Sequence, residues 1–506
     1  TVGGNPTTTT TKPNLVYILA DDLGWVDLKA FAPSSQINTP SIDTLASQGM
    51  KFTDAYSASA VCTPTRYGIL SGRYCWRTLA QGVVSGNNPN LININRPTVA
   101  SFLRTAGYNT AIVGKWHLNF QAVNEHDGVP MTGEFAETPI GSRITDGPVT
   151  RGFDYYHGFH HARSMRVIVE NDRVIANEEE SHMLPRIAAK SMEYIQNHTH
   201  ADKPFFLFVA LSSPHNPIVP TEEWKGKSGL GDYADFVMMT DGVVGDIAQT
   251  LQSSGLADDT ILIFTSDNGQ SDAGYQQLPS RELRGKKSDI WDGGHRIPFI
   301  IRWPGHVVAG TSSNQLISLN DLFATIADIN GIPLPDYGAE DSVSMLPALN
   351  HQPIGSEREG IVHHSLWGYF GYRKGRWKVV VARGSGGWSA PDEALGEQLN
   401  LPNVQLYDMQ HDSLETTNLF TNESYAELAR ELIDQLLLDV NTGRTTPGQP
   451  SSNDLDQIVV FKAGHPEFTS SPTQSTPACH YTSFGKNAVG TESCDDNDVL
   501  HPFRCC

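Results

Sequence analysis

The sequence predicts an α/β fold, in which helices flank a large mixed, mostly parallel sheet and a small subdomain of antiparallel strands and a helix follows. Short apolar runs at residues 14–20, 205–211 and 261–264 each end in polar residues, which is typical of buried central strands. Segments between these runs have apolar residues at helical spacing, for example residues 232–255. With 506 residues, the chain can form one large domain and an appendage.

Proline and glycine mark element boundaries in the first half of the chain. Pro40 suits a first helical turn, and Gly49 and Gly107 suit helix ends. The elements predicted in chain order are a strand at 14–20, a helix between Thr39 and Gly49, a strand at 51–57, a helix from Cys62, a helix at 97–106, a strand from Tyr108, a long loop at 120–147 and a hairpin at 167–174.

The second half continues this alternation and changes character near residue 350. The elements predicted there are strands at 205–211, 261–264 and 297–303, helices at 232–255 and 318–330, antiparallel strands at 361–364, 369–381 and 404–407, and a helix at 424–438. We therefore divide the chain into a disordered leader (1–12), a main α/β domain (13–350), a C-terminal α+β subdomain (351–445) and a cysteine-bearing tail packed on the body (446–506).

The composition limits the binding partners that are compatible with this chain and indicates its cellular compartment. A net charge of −20 argues against nucleic acid and repels anions at long range, so any anion site must be locally basic. No run of about twenty apolar residues is present, and we expect no membrane span. Four of the six cysteines lie beyond residue 478, which indicates disulfides in an oxidising compartment and an exported protein. Their pairing stays open, as does the oligomeric state.

Residues 62–66 place a reactive side chain at a predicted helix start. Pro64 falls in the first turn, and Arg66 can share a helix face with Cys62, four residues before it. The free N–H groups and the dipole of a helix start favour an anion there. A buried cysteine at a helix cap fits the same residues, and Cys62 with His117 also fits a thiol nucleophile.

Oxygen-bearing side chains follow two of the predicted central strands. Asp21 and Asp22 come directly after one strand, and Asp267 and Asn268 follow another. Ligand sites of open α/β sheets lie at this edge. Adjacent carboxylates repel each other unless a cation joins them, and hard oxygen ligands suit Ca²⁺ or Mg²⁺. We therefore predict a divalent metal site, which a thiol enzyme would not need.

Basic residues lie at further strand ends. Lys115 and His117 follow the strand from Tyr108, and His215 follows strand 205–211. The glycine-rich stretch 284–296 adds the local positive charge that an anion site in this acidic chain requires.

A second stretch, 151–166, is rich in arginine, histidine and aromatic residues. The stretch could bind sugar rings and acidic groups. A loop that is packed by its own aromatic side chains fits the same residues equally well. The substrate contacts that we predict from this stretch and from 284–296 are His160, His161, Arg163, Arg166 and His295.

Other catalytic patterns are missing from the sequence. Residues 226–228 read Gly-Lys-Ser but lack the upstream glycine of a phosphate-binding loop. Neither a Gly-x-Ser-x-Gly elbow nor a His-Glu-x-x-His metal motif occurs.

Six motifs in order resemble the type I, formylglycine-dependent sulfatases of the alkaline-phosphatase superfamily, and their carbohydrate-specific branch in particular. The resemblance runs from about residue 13 to 440 and implies an alkaline-phosphatase-like fold. The motifs are Asp21-Asp22-Leu23-Gly24, Cys62-Thr63-Pro64-Thr65-Arg66 with Ser71-Gly72-Arg73-Tyr74, Gly114-Lys115-Trp116-His117, Pro214-His215, Asp267-Asn268-Gly269, and Lys287 ahead of Trp291-Asp292-Gly293-Gly294.

The resemblance implies that Cys62 is converted to formylglycine by a maturation machinery. One hydroxyl of the aldehyde hydrate would attack sulfur, and loss of the other hydroxyl's proton would expel sulfate. The implied roles are as follows: Asp21, Asp22, Asp267, Asn268 and the modified Cys62 bind one Ca²⁺, Arg66 and Lys115 brace the hydrate, His117 is the base for sulfate release, His215 protonates the leaving alcohol and Lys287 binds sulfate.

The sequence departs from the family pattern at two positions. Thr65 stands where the family has serine and keeps a hydroxyl. Asn119 stands where the family has glycine, and its added bulk near the pocket bears on fine specificity and not on the chemistry. Lys286 is the alternative to Lys287.

Three functions are compatible with the sequence. The first is a sulfatase acting on a sulfated poly- or oligosaccharide. The second is a phosphomonoester, phosphodiester or phosphonate hydrolase of the same superfamily. The third, from another class, is a non-catalytic Ca²⁺-dependent glycan binder, which predicts that Cys62 is unmodified and dispensable.

Overall fold

A twelve-stranded sheet forms the body of the protein. The computed structural model describes residues 12–80, 82–124, 127–278, 282–355, 358–449 and 451–462. The predicted leader, apart from Lys12, and the four tail cysteines lie outside these ranges.

The strands are β1 (Asn14–Ala20), β2 (Met50–Phe52), β3 (Ala55–Tyr56), β4 (Asn109–Lys115), β5 (Ala122–Val123), β6 (Arg143–Ile144), β7 (Tyr155–Phe159), β8 (Val167–Glu170), β9 (Arg173–Asn177), β10 (Phe205–Ala210), β11 (Thr260–Ser266), β12 (Phe299–Arg302), β13 (Thr311–Ser313), β14 (Ile317–Ser318), β15 (Ile361–His364), β16 (Phe370–Lys374), β17 (Trp377–Val380) and β18 (Gln405–Asp408).

Helices cover both faces of this sheet. They are α1 (Pro40–Gln48), α2 (Cys62–Ser71), α3 (Val99–Thr105), α4 (Met183–Asn197), α5 (Asp232–Ser253), α6 (Asp272–Gln277), α7 (Asp292–His295), α8 (Leu322–Ile329), α9 (Leu346–Leu349), α10 (Glu393–Gln398) and α11 (Ala426–Asn441). Among the described residues, no helix is both long enough and apolar enough to cross a membrane.

The strand order explains why the central runs are so apolar. The order is β13-β2-β12-β11-β1-β10-β4-β7-β8-β9-β6-β5, and the five strands from β11 to β7 are mutually parallel. Both faces of these strands are buried: Tyr17 and Leu19 of β1 pack into one core, and Val16 and Ile18 pack into the other. A sheet buried on both faces requires such near-continuous apolar strands.

The large mixed sheet flanked by helices confirms the predicted fold class, and the details differ at several elements. The parallel arrangement holds at the centre, whereas the flanking pairs, such as β11 with β12 and β8 with β9, are antiparallel. The predicted strand 51–57 is two short strands in different sheets. The predicted loop 120–147 contains β5 and β6, and helix α4 was not predicted.

The C-terminal strands form a separate antiparallel sheet in the order β15-β16-β17-β18. Helix α11 packs on β16 and β17. The described residues up to Val460 belong to one compact unit, so this small sheet and the body share it. Of the second unit, 461–506, only Phe461 and Lys462 are described.

A close contact between neighbouring strands requires glycine at position 114 of the central sheet. Gly114 of β4 has φ of +113°, and a Cβ there would lie 1.8 Å from the carbonyl oxygen of Ala210 in β10. We expect Gly114→Ala to destabilise the protein by about 3 kcal/mol or more, because the substitution combines backbone strain with a clash against a rigid neighbour. Chemical denaturation measures this loss.

Gly355→Ala is the control for this substitution. Its φ is not positive, and none of the described residues lies within 4 Å of the added Cβ. Equal free energies of unfolding for the two variants would contradict the assignment of Gly114 to a close strand contact.

Candidate active site

The five parallel strands deliver polar side chains to one edge of the sheet. Residues of the sequence motifs lie at or just after the carboxyl end of each of these strands. In spatial order these are Asp267 and Asn268 after β11, Asp21 and Asp22 after β1, His215 after β10, Lys115 and His117 at the end of β4, and His160 and His161 after β7. Parallel pairing thus converts motifs that are far apart in sequence into a single row.

Three buried carboxylates are paired with three buried cations. Lys115 Nζ donates to both carboxylate oxygens of Asp21, at 2.9 and 2.7 Å. Arg66 donates through Nε and Nη2 to Asp267 Oδ2, at 3.0 and 2.7 Å.

The third pair brings a distant loop to the same row. Lys287 Nζ lies 2.9 Å from Asp22 Oδ2. The adjacent Lys286 instead pairs with Asp272, whose side chain is half exposed. The structure therefore places Lys287, and not Lys286, in the charge cluster.

Burial and charge act together on these groups. Burial by itself raises the pKa of Asp21, but Lys115 and the neighbouring cations outweigh it and hold that pKa below its usual range. Burial and the charge of Asp21 raise the pKa of Asp267 to about 7. Burial disfavours the Lys287 ammonium, yet Asp22 outweighs this effect and raises the pKa of Lys287.

Helix α2 starts directly beside the cluster. Cys62 is its first residue and is completely buried. Thr63 Oγ1 donates to the carbonyl oxygen of His117 at 3.0 Å, and Thr65 Oγ1 donates to the carbonyl oxygen of Ser59 at 2.9 Å. These bonds fix the first turn, so that Cys62 and Arg66 face the row of strand ends as the spacing predicts.

The donor set fits a divalent cation. One donor atom from each of Asp21, Asp22, Cys62 and His215 lies within 4.8 Å of the others. Asn268 donates through Nδ2 to Asp22 Oδ1 at 2.8 Å, while its Oδ1 is buried and has no hydrogen-bond partner among the described residues. A buried carbonyl oxygen without a donor, next to several carboxylates, is suited to a hard metal ion.

Two histidines have one ring nitrogen occupied by a carbonyl oxygen. His117 Nε2 lies 3.1 Å from the carbonyl oxygen of Val84, and His215 Nδ1 contacts that of Asn216. A carbonyl only accepts, so those nitrogens carry the hydrogen in each ring. Within the described part of the chain, His117 Nδ1 and His215 Nε2 are buried without hydrogen-bond partners, and the latter lies 3.7 Å from Asp22. Burial, and next Lys115, lowers the pKa of His117 well below its usual value.

The predicted sugar contacts are distributed unevenly. His161 lies beside His117, with ring centroids 5.6 Å apart, and His160 packs between the rings of Phe120 and Phe135. Arg163 and Arg166 are exposed. His295 is completely buried against His363, with ring centroids 4.7 Å apart, and offers no surface to a substrate in this conformation.

A left-handed backbone conformation explains why asparagine can stand at position 119, where the family has glycine. Asn119 has φ of +59°, a left-handed conformation that glycine and asparagine adopt more readily than other residues. Its carbonyl oxygen accepts from Trp116 Nε1 at 2.8 Å.

Sequence reasoning missed the residues that hold the Lys287 loop. Lys378 Nζ of β17 lies 2.9 Å from Asp292 Oδ1 and 2.8 Å from Glu415 Oε1, and all three side chains are completely buried. Asp292 is the first residue of α7, directly after the loop that carries Lys287. Asp292 belongs to the motif at residues 291–294, but Lys378 and Glu415 lie far from it in the chain, so no local pattern predicted that the three side chains meet.

Comparisons with known proteins assign the family. The model of the sulfatase family matches residues 13–332, and the model of the N-sulphoglucosamine sulphohydrolase C-terminal region matches residues 286–441. The chain belongs to the sulfatase family. It is therefore a sulfuric ester hydrolase with an alkaline-phosphatase-like fold, as its motifs predict.

Named sulfatases are similar over most of this chain. N-acetylgalactosamine-6-O-sulfatase of Bacteroides thetaiotaomicron is 34% identical over 500 residues, covering 85% of this chain and 93% of the relative. N-acetylgalactosamine-6-sulfatase of Rattus norvegicus is 30% identical over 360 residues, covering 67% of this chain and 66% of the relative. A solved structure from work on glycosaminoglycan metabolism by B. thetaiotaomicron has a TM-score of 0.75 and 31% identity, and covers 85% of this chain and 100% of that one.

The buried ion triad of this sulfatase yields a stability prediction. Lys378→Met leaves Asp292 and Glu415 buried without their shared cation, so we expect a loss of about 3–5 kcal/mol in the free energy of unfolding. Lys374, on the neighbouring strand β16, forms exposed ion pairs with Glu359 and Glu431. Lys374→Met removes both pairs and should lower the free energy of unfolding by less than about 1 kcal/mol. Urea denaturation of both variants measures the difference, and similar losses would contradict a structural role of the triad.

Proposed function

We propose that this sulfatase hydrolyses sulfate esters of a carbohydrate, with a formylglycine derived from Cys62 and one bound Ca²⁺. The observation that carries the proposal is the position of Cys62. Its sulfur lies at a helix start within 4.8 Å of ligand atoms of Asp21, Asp22 and His215. An ordinary buried cysteine has no need of such surroundings, whereas a nucleophile next to a cation requires them.

Four oxygen ligands are available for the Ca²⁺ ion. They would come from Asp21, Asp22, Asp267 and Asn268, and Asn268 would contribute Oδ1, which has no hydrogen-bond partner within the described part of the chain. When bound, such an ion supplies positive charge to the sulfate oxygens and to the nucleophile. The formal charges of the surrounding three carboxylates and three cations cancel, so a divalent ion and an anionic ester can enter together without a large excess of either charge.

Lys287 and Arg66 orient the reacting groups. Lys287 is held on Asp22 by a charge-assisted bond, and this places its positive charge at the strand ends, where it can attract a sulfate group. Arg66 is anchored on Asp267 and lies one helical turn from Cys62, so it fixes the nucleophile side of the site. Both cations are preorganised before substrate arrives, which is the main source of electrostatic catalysis.

The two histidines are set up for opposite proton transfers. Because His117 Nε2 donates to Val84, its Nδ1 carries a lone pair and can accept the proton whose loss releases sulfate. Burial lowers the pKa of this ring well below its usual value, which favours the neutral form. Donation of a proton to the leaving alcohol is assigned to His215, whose Nε2 lies 3.7 Å from Asp22 at the same edge of the sheet.

The named relatives support a carbohydrate substrate. Both are named as N-acetylgalactosamine 6-sulfatases, and the match to the bacterial one extends over 93% of that protein's length. We therefore select 6-O-sulfated N-acetylgalactosamine saccharides as the first substrates to test. The proposal also requires a maturation enzyme that oxidises Cys62, and export of the chain to the compartment of its polymeric substrate.

Substrate profiling tests the proposed reaction. We expect sulfate release from a sulfated saccharide to exceed phosphate release from phosphomonoesters, phosphodiesters and phosphonates. Cys62→Ala should lower the sulfatase rate at least about 1,000-fold, because the nucleophile is lost. Cys75→Ala, at the other buried free thiol of the described residues, should keep activity.

Each alternative function predicts a different outcome. Faster phosphate release would assign the chain to the phosphohydrolases of the superfamily. Saccharide binding without turnover, unchanged in Cys62→Ala, would identify a glycan binder. Intact-mass analysis of active protein should show the change from a –CH₂SH to a –CHO side chain, and an active enzyme with an unmodified thiol would overturn the assignment.

Calcium binding is testable without an activity assay. After removal of metal, Ca²⁺ at about 100 times its Kd should stabilise the protein by about 2.7 kcal/mol. Asp22→Asn should abolish this stabilisation, whereas Asp272→Asn, at a half-exposed carboxylate paired with Lys286, should retain it. Equal Ca²⁺-induced shifts in Tm for both variants would contradict the assigned ligands.

A further inference from the structure

Two loops of the C-terminal sheet are bonded directly to the residue after Lys287. The carbonyl oxygen of Ser288 accepts from Leu366 N at 3.0 Å, and Ser288 Oγ accepts from Trp388 N at 2.9 Å. The neighbouring Asp289 Oδ1 accepts from Ser389 N at 3.1 Å. The two loops, residues 365–369 and 385–389, therefore lie against the segment that carries the sulfate-binding lysine.

The packing at this contact is backbone against backbone. A Cβ on Gly387 would lie 2.4 Å from the carbonyl oxygen of Ser288, which leaves no room for a side chain. Ser288 N in turn donates to the carbonyl oxygen of Ala60 at 2.9 Å, and Ala60 N donates to that of His364 at 3.0 Å. Ala60 is two residues before Cys62, and His364 directly precedes the first loop, so the nucleophile segment and the Lys287 segment both contact this edge of the C-terminal sheet.

Each loop carries a tryptophan that is not fully buried. Trp367 is 40% exposed, and Trp388 is partly exposed. The Trp367 indole N–H donates to the carbonyl oxygen of Gly387 at 3.2 Å, which ties one loop to the other and fixes the ring. The backbone N–H of Trp367 also donates to the carbonyl oxygen of Gly386, at 3.2 Å.

Partly exposed indoles, of which that of Trp367 is held by its own N–H, suit a particular kind of ligand surface. A tryptophan held by its own N–H offers a large apolar face at little cost in conformational entropy. The apolar C–H face of a pyranose ring is complementary to such a surface, and neither partner is charged. In a chain with a net charge of −20, uncharged contacts avoid repulsion of an anionic substrate.

We propose that Trp367 and Trp388 form a stacking surface for the pyranose ring of the sulfated saccharide. This inference rests on the proposed function, because it assumes a carbohydrate leaving group at the same site. The two tryptophans bind the sugar, whereas the charge cluster binds and cleaves the sulfate ester. The C-terminal sheet thus sets the preference for saccharide over aryl esters.

Paired substrates separate sugar binding from sulfate chemistry. The test compares an aryl sulfate, which lacks a pyranose ring, with a 6-O-sulfated N-acetylgalactosamine disaccharide, using mature, Ca²⁺-loaded protein. Trp367→Ala and Trp388→Ala should each lower kcat/KM for the disaccharide about 10- to 100-fold, mainly through KM, since an apolar contact is lost. Hydrolysis of the aryl sulfate should stay within about twofold of wild type, and Trp367→Phe should recover part of the disaccharide activity.

Trp377→Ala is the matched control. Trp377 is a partly buried tryptophan of β17 in the same sheet and packs against Tyr425, away from the two loops. Its removal should not alter the ratio of disaccharide to aryl sulfate activity.

Other outcomes overturn the inference in distinguishable ways. Equal losses on both substrates would mean that the loops only position Lys287, and unchanged disaccharide kinetics would show that the rings do not contact sugar. Wild-type protein that cleaves aryl sulfates but no sulfated saccharide would refute the proposed carbohydrate function, and the stacking surface with it.

Discussion

The pairing of three buried carboxylates with three buried cations is the constraint on which the rest of the site depends. None of these six charges could be buried alone, because desolvation would cost several kcal/mol for each ion. Each pair therefore fixes two structural elements at once: Lys115 with Asp21 joins β4 to β1, and Arg66 with Asp267 joins α2 to β11. The same pairs bring all six charges together at one edge of the sheet.

The third pair extends this constraint to the C-terminal sheet. Lys287 lies on a loop whose backbone and side chains are held by that sheet, through Ser288 on one side and Asp292 on the other. The pair of Lys287 with Asp22 therefore depends on the small sheet as well as on the body. The second family model begins its match at residue 286, next to this loop, which agrees with a subdomain that belongs to the site.

Strand ends were the most predictable part of this protein. The runs before Asp21, His215 and Asp267 are buried on both faces and so are apolar throughout, and their polar ends stand out in the sequence. Elements that depend on distant partners were less predictable. Residues 51–57 alternate like one strand, yet they divide between two sheets because β2 pairs with β12 and β3 pairs with β14.

By itself, the sequence determined the chemical inventory of the site: an acidic pair, a cysteine at a helix start, and basic residues at further strand ends. It also determined the parallel centre of the sheet, because burial on both faces leaves a local pattern. The tertiary structure decided which lysine reaches Asp22, where His295 lies, and how Lys378 and Glu415 support the Lys287 loop. Those outcomes depend on contacts between segments far apart in the chain, and the energy of such contacts has no local signature in sequence.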